Sequence, residues 1–113
     1  MIKAIRGTKD ILPADSPLWQ EIEKASRDIL KLYGYREIRT PIIEETALFV
    51  KNIGEDTDIV SKEMFSFVDR GERNISLRPE GTAPIIRSYI ENNLDKISIF
   101  QKLFSSALLP FLL

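Results

Sequence analysis

Residues 64–79, MFSFVDRGERNISLRP, decide the fold class. Met64, Ser66 and Val68 alternate with Phe65, Phe67 and Asp69, the period of two that sends successive side chains to opposite faces of a strand. NISLRP is a second extended run, and Arg70-Gly71-Glu72-Arg73 between the two is short, polar and glycine-bearing. Strands joined so closely form a hairpin, which pairs antiparallel. The expectation is therefore an α+β fold, an antiparallel sheet flanked by helices, rather than a parallel doubly wound sheet.

Working outward, TAPIIRSYIENNL reads as a helix capped by Thr82, with Ile85, Ile86, Tyr89 and Ile90 as its buried face. Upstream, EDTDIVSKE is a polar loop and EETALFVKNIG a short helix stopped by Gly54. YREIRTPII is extended; Pro41 cannot donate to a ladder, so the strand ends there or lies at an edge. The strongest helix is SPLWQEIEKASRDILKLYGY. Ser16 suits its N-cap, Pro17 its first helical position and Gly34 its exit. Leu18, Ile22, Ala25, Ile29 and Leu32 recur at steps of four and three, drawing one apolar stripe that reads as core or subunit interface.

Composition narrows the chemistry. The 113 residues hold 16 basic and 17 acidic side chains, a net charge of −1, so no bulk field favours nucleic acid. Cysteine is absent, which excludes disulfides and thiolate metal sites; histidine is absent, which removes the commonest general base. Acids at 55, 56 and 58 lack EF-hand spacing and read as a solvated loop. RGTKD (6–10) reads as a solvated turn with Asp10 near Lys9 or Arg6, and no glycine-rich phosphate loop is present. Arg39, Arg78 and Arg87 are each open to two readings, anion binding or an ordinary surface or ion-pair role. No segment is apolar and long enough to span a membrane, and MIKAIRGTKDILP lacks the apolar core of a signal peptide, so a cytoplasmic location is expected.

The junction LRPEGTAP (77–84) has two readings that spacing does not separate. In one, Thr82 caps the helix, Glu80 offsets its dipole and Gly81 eases a tight turn. In the other, Glu80 receives a cation such as an ammonium group, Thr82 adds a hydrogen bond, and Gly81 lets the backbone approach the ligand.

IRGTKDILP, YGYREIRTPIIEETALF and SKEMFSFVDRGERNISLRPEGTAPIIRSYIEN, in that order, resemble the N-terminal part of the histidyl-tRNA synthetase family, class II aminoacyl-tRNA synthetases, over residues 3–95. The resemblance implies a class II catalytic core with helices around an antiparallel sheet. It implies that residues 16–43 are the first class II motif, ending in Pro41 at the interface of a homodimer. It implies that residues 78–82 open a histidine pocket, with Glu80 accepting the α-ammonium of histidine beside Gly81 and Thr82. The reaction implied is activation of histidine by ATP with Mg²⁺, then transfer to tRNA. No residue of this chain is assigned a catalytic or metal-ligating role.

The resemblance stops at Ser105. Residues 1–104 are expected to form the N-terminal part of the catalytic domain and 105–113 an aberrant apolar tail: of the last eleven residues eight are apolar and none is charged. By this resemblance the rest of the second class II motif and the third are not expected in these residues, so a truncated fragment is expected, inactive alone and without tight binding of ATP or Mg²⁺. Two other functions carry the same residues. One is the synthetase-like regulatory subunit of ATP phosphoribosyltransferase; the other is a non-enzymatic dimerisation module built on the stripe from Leu18 to Leu32.

Overall fold

The computed structural model describes residues 1–53 and 64–105. Gly54 as a helix stop, the polar loop at 55–63 and the tail from residue 106 lie outside the described residues. The chain divides into two compact units, residues 1–37 with the segment from Lys102 on, and residues 38–101.

In the first unit, α1 runs from Ser16 to Leu32, with Pro17 in its first turn. Its start departs from expectation. Asp15 holds the N-cap position with backbone already in the helical region, and its side chain makes no capping bond. The amides of Asp15 and Ser16 both turn back to the Leu12 carbonyl, so Ser16 lies inside the helical geometry. Its hydroxyl therefore donates to the Leu12 carbonyl at 3.0 Å instead of accepting from amides ahead of it.

The exit matches the sequence. Gly34 adopts φ +78°, its N–H bonds the Lys31 carbonyl, and the Tyr35 N–H bonds the Leu30 carbonyl. This paired closure requires the left-handed conformation that glycine takes without a Cβ clash. Just beyond, β1 (Arg36–Glu37) pairs in parallel with β5 (Leu103–Phe104), a pairing the sequence did not suggest. Lys102 donates to the Tyr33 carbonyl and lies over the Tyr35 ring at 5.7 Å. Gly7 and Thr8 form the expected solvated turn, but among the described residues Asp10 has no ion pair.

The second unit holds the antiparallel sheet. β2 (Ile43–Glu45), β4 (Asn74–Leu77) and β3 (Ser66–Val68) lie in that order, with Ser76 opposite both Glu44 and Ser66. The extended run is broken around Pro41 as expected, and β2 is an edge strand. Asp69 closes the hairpin turn, accepting from the amides of Gly71 and Arg73 and from the Arg73 guanidinium. These bonds, above all those from Arg73, hold the Asp69 pKa below its ordinary value.

α2 (Thr46–Ile53) and α3 (Thr82–Glu91) pack together, α2 also meeting β4. Phe49 is fully buried, with Ile75, Ala83 and Pro84 around the same core. Ser76 is also fully buried, and its hydroxyl meets those of Thr46 at 2.8 Å and Ser66 at 2.6 Å. Such a chain satisfies polar groups that would otherwise cost about 1–3 kcal/mol each.

The buried face expected for α3 is corrected. Ile86 and Ile90 are 53% and 68% exposed, Ile85 and Tyr89 are half-buried, and the buried residues are Ala83 and Pro84. Small side chains in the first turn let the helix start close to the core, which leaves the later isoleucines at an open surface.

Candidate functional site

The site lies in the second unit where β4 runs into α3. The first N–H groups of a helix have no intrahelical acceptor. At α3, Pro84 has no N–H to satisfy. The Glu80 carboxylate takes the next two: Oε2 accepts from Thr82 N at 2.6 Å and Oε1 from Ala83 N at 2.8 Å. The first turn closes with Ile85 N on the Gly81 carbonyl.

The cap is thus Glu80, not Thr82. Gly81 occupies the N-cap position at φ −104°, and Thr82 is already the first helical residue with an exposed side chain. A hydroxyl one residue inside the helix cannot face the amides of its own first turn. Gly81 is buried in a conformation open to any L-residue, so no backbone strain calls for glycine there. What results is a half-buried carboxylate fixed by two backbone donors at the positive end of a ten-residue helix. Each of its oxygens retains acceptor capacity for a further donor.

The approach to the cradle is anchored as well. Arg78 N donates to the Ile42 carbonyl at 2.9 Å. Arg78 itself is only 9% exposed, and its Nη1 reaches Thr40 O and Oγ1 at 3.1 Å and Pro41 O at 3.4 Å. Among the described residues no carboxylate pairs with it, and its buried Nε meets no acceptor. A buried cation without a counter-charge is costly, on the order of several kcal/mol before its hydrogen bonds are counted. In the sequence this role shows only as a lone arginine before a proline.

Pro41 is exposed and borders an open groove of about 770 Å³ that Ala83, Ile86, Ile90 and Arg87 also line. Arg87 follows the ion-pair reading: it meets Glu44 at 2.7 Å and Glu91 at 2.5 Å. The Glu44 bond raises the Arg87 pKa, partial burial opposes it, and Glu91 adds to the rise. Glu91, four residues on, was legible on a helix face; Glu44, on a different strand, was not. A second groove, of about 660 Å³, lies along Thr46, Val50 and Phe67, and neither groove is lined by Glu80, Gly81 or Thr82. The structure therefore brings Glu80, Gly81 and Thr82 together at the helix start and places Pro41 on the segment that Arg78 holds. Among the described residues no group of three or more acids could hold a metal ion, and no helix is long and apolar enough to cross a membrane.

Comparison with known proteins agrees with the resemblance. The sequence model of a family described as histidyl-tRNA synthetase matches residues 7–106. A histidine–tRNA ligase of Thermosipho melanesiensis is 55% identical over 92% of this chain and 25% of its own length. A histidine–tRNA ligase 2 of Bacillus cereus is 59% identical over 82% of this chain and 22% of its own length. Among solved structures, apo histidyl-tRNA synthetase of S. aureus superposes with a TM-score of 0.70 at 48% identity, over 84% of this chain and 25% of that one. A Bacillus halodurans protein described as an ATP phosphoribosyltransferase regulatory subunit/histidyl-tRNA synthetase gives 0.72 at 26% identity, over 93% and 26%. The chain spans about a quarter of the length of the curated relatives it matches.

Proposed function

The chain belongs to the histidyl-tRNA synthetase family, and we propose that its cradle receives the amino-acid end of the family reaction, the α-ammonium of histidine. The observation that carries this reading is the Glu80 carboxylate, immobilised by the amides of Thr82 and Ala83. An ammonium has three donors and needs an oriented acceptor of opposite charge. A carboxylate already ordered by the backbone loses little further freedom on binding, and so serves as a preorganised acceptor. Gly81 presents no side chain beside it, and the exposed Thr82 hydroxyl is free to turn toward the ligand.

The overall reaction, histidine joined to tRNA at the expense of ATP with Mg²⁺, belongs to the same proposal, as does a cytoplasmic setting. The described residues supply the ammonium subsite; they do not form a group that fits Mg²⁺, and no step through the nucleotide is derived from them. Their chemical share is binding and orientation, which lowers the barrier by fixing the amino acid's carboxylate for attack rather than by moving a proton. The regulatory-subunit reading also predicts histidine binding, but the identities of 48–59% to synthetases against 26% favour the ligase lineage.

Calorimetric titration of the chain with L-histidine tests the proposal. Glu80→Gln keeps the size and one acceptor but removes the charge, and should weaken binding about tenfold or more. Unchanged affinity in that variant would remove Glu80 from the site.

A second reading concerns assembly. α1 buries no residue: Leu18 is 61% and Leu32 84% exposed, with Ile22 and Ile29 on the same stripe. A second copy of the chain would cover that stripe as a homodimer, in line with the first-motif resemblance. Sedimentation equilibrium distinguishes the two states: twice the chain mass supports the dimer, and the single 13.0 kDa mass at all concentrations opposes it.

A further inference from the structure

We propose that Arg78 is a positioning residue for the cradle: its buried guanidinium ties the Thr40–Pro41 segment to the end of β4 and so sets where Glu80 is delivered. Residues 78–81 form a short strut between Leu77, the last residue of β4, and Gly81, the N-cap of α3. At its far end the strut is fixed by the two bonds from the α3 amides to Glu80. At its near end Arg78 fixes it twice, through its own N–H on the Ile42 carbonyl and through Nη1 on three oxygens of Thr40 and Pro41.

Pro79 between the anchors has a fixed φ and offers no N–H, so it adds stiffness but no attachment. A shift of the 40–42 segment is thereby passed along a nearly rigid link to the carboxylate. Ordinary packing does not account for the choice of residue. An apolar side chain would fill the same space without burying a cation that, among the described residues, has no carboxylate beside it and an Nε that meets no acceptor. Directional bonding does account for it: the rigid planar guanidinium aims Nη1 at the carbonyls of Thr40 and Pro41 and at the Thr40 hydroxyl. Arg78 touches no ligand in this account; it acts through Glu80, and its consequence for histidine rests on the proposed role of Glu80.

The experiment uses the intact chain and follows the backbone amide resonances of Thr82 and Ala83 together with the affinity for L-histidine. Arg78→Lys keeps the charge and loses the fixed direction of the Nη1 bonds to Thr40 and Pro41. It should displace both resonances, leave those of Gly71 and Arg73 in the hairpin turn in place, and weaken histidine about tenfold or more. Thr40→Val removes one acceptor without disturbing the buried charge, and should move the same two resonances in the same direction by less. If Arg78→Lys does not fold, Thr40→Val decides the matter. If the native chain binds no histidine, the role of Glu80 as ammonium acceptor falls, while the amide response still judges Arg78. Thr82 and Ala83 resonances that stay fixed in the folded variants, or that shift only along with the whole unit, would overturn the proposal.

Discussion

Helix α1 and the region around helix α3 make opposite use of apolar residues. α1 carries the most regular stripe in the chain and buries none of it. The region around α3 has a less regular pattern, yet it encloses Phe49 completely and covers Ala83, Pro84, Ile75 and Ser76. Periodicity fixes which residues share a face, whereas burial depends on what that face meets. Around α3 the burial comes from small residues that permit close approach and from one phenylalanine on α2. In α1 the stripe remains a surface, and the helix is closed locally by its glycine exit.

The largest effect is expected of Phe49→Ala. Emptying a fully buried aromatic site should cost about 3–5 kcal/mol, a large part of the ~5–15 kcal/mol that holds a typical domain. Urea denaturation followed by circular dichroism should show the cooperative transition lost or moved to much lower denaturant. A midpoint close to that of the native chain would mean that Phe49 is not the centre of the core.

Arg87→Met comes next. The side chain of Glu44 is 8% exposed, and removing its partner leaves a carboxylate nearly buried and unpaired. A fully buried pair broken in this way costs about 3–5 kcal/mol; Arg87 keeps partial access to water, so a loss of about 2–3 kcal/mol is expected. By contrast, Lys24→Ala on α1 should leave the denaturation midpoint unchanged, since both members of the Lys24–Asp28 pair are exposed.

A smaller effect is tied to acid. The Asp69 pKa is depressed, chiefly by the backbone and side-chain bonds from Arg73. Its contribution is therefore present above the ordinary aspartate pKa and is lost as the pH falls through the depressed value. Asp69→Asn should lower the midpoint near pH 6 and converge with the native chain well below about pH 4. A gap that persists undiminished in acid would assign the effect to hydrogen bonding alone.

Least is expected of the double variant Leu18→Lys/Leu32→Lys. Both residues are exposed in the single chain, so its folding free energy should change by no more than about 0.5 kcal/mol. If two copies meet through α1, the same variant should instead lower the mass seen by sedimentation.

Much of the fold could be read directly. The alternation at Phe65–Asp69 and the polar turn at 70–73 identified the hairpin, and Pro41 marked where the extended run breaks. Gly34 marked the exit of α1 because only the left-handed region closes the helix in that way. What could not be read depended on register and on where each helix begins. Ser16 and Thr82 read as caps, but each is already the first helical residue, and Asp15 and Gly81 hold the N-cap positions. That shift passed the capping role at α3 to Glu80, a residue the sequence had marked for dipole or ligand. The buried face of α3 was misplaced because its isoleucines are periodic while the residues it buries are small. Arg78 and the Arg87–Glu44 pair depend on contacts about forty positions apart, for which local pattern holds no information.

Discrimination between histidine and its analogue lacking the α-amino group, 3-(imidazol-4-yl)propionate, tests whether Glu80 is the ammonium acceptor. Both ligands carry the imidazole and the carboxylate; only histidine brings an ammonium to Glu80. L-histidine should shift the Thr82 and Ala83 amide resonances, whose acceptor is the Glu80 carboxylate, and the analogue at the same concentration should leave them in place. Equal shifts from both ligands, or none from histidine, would contradict it.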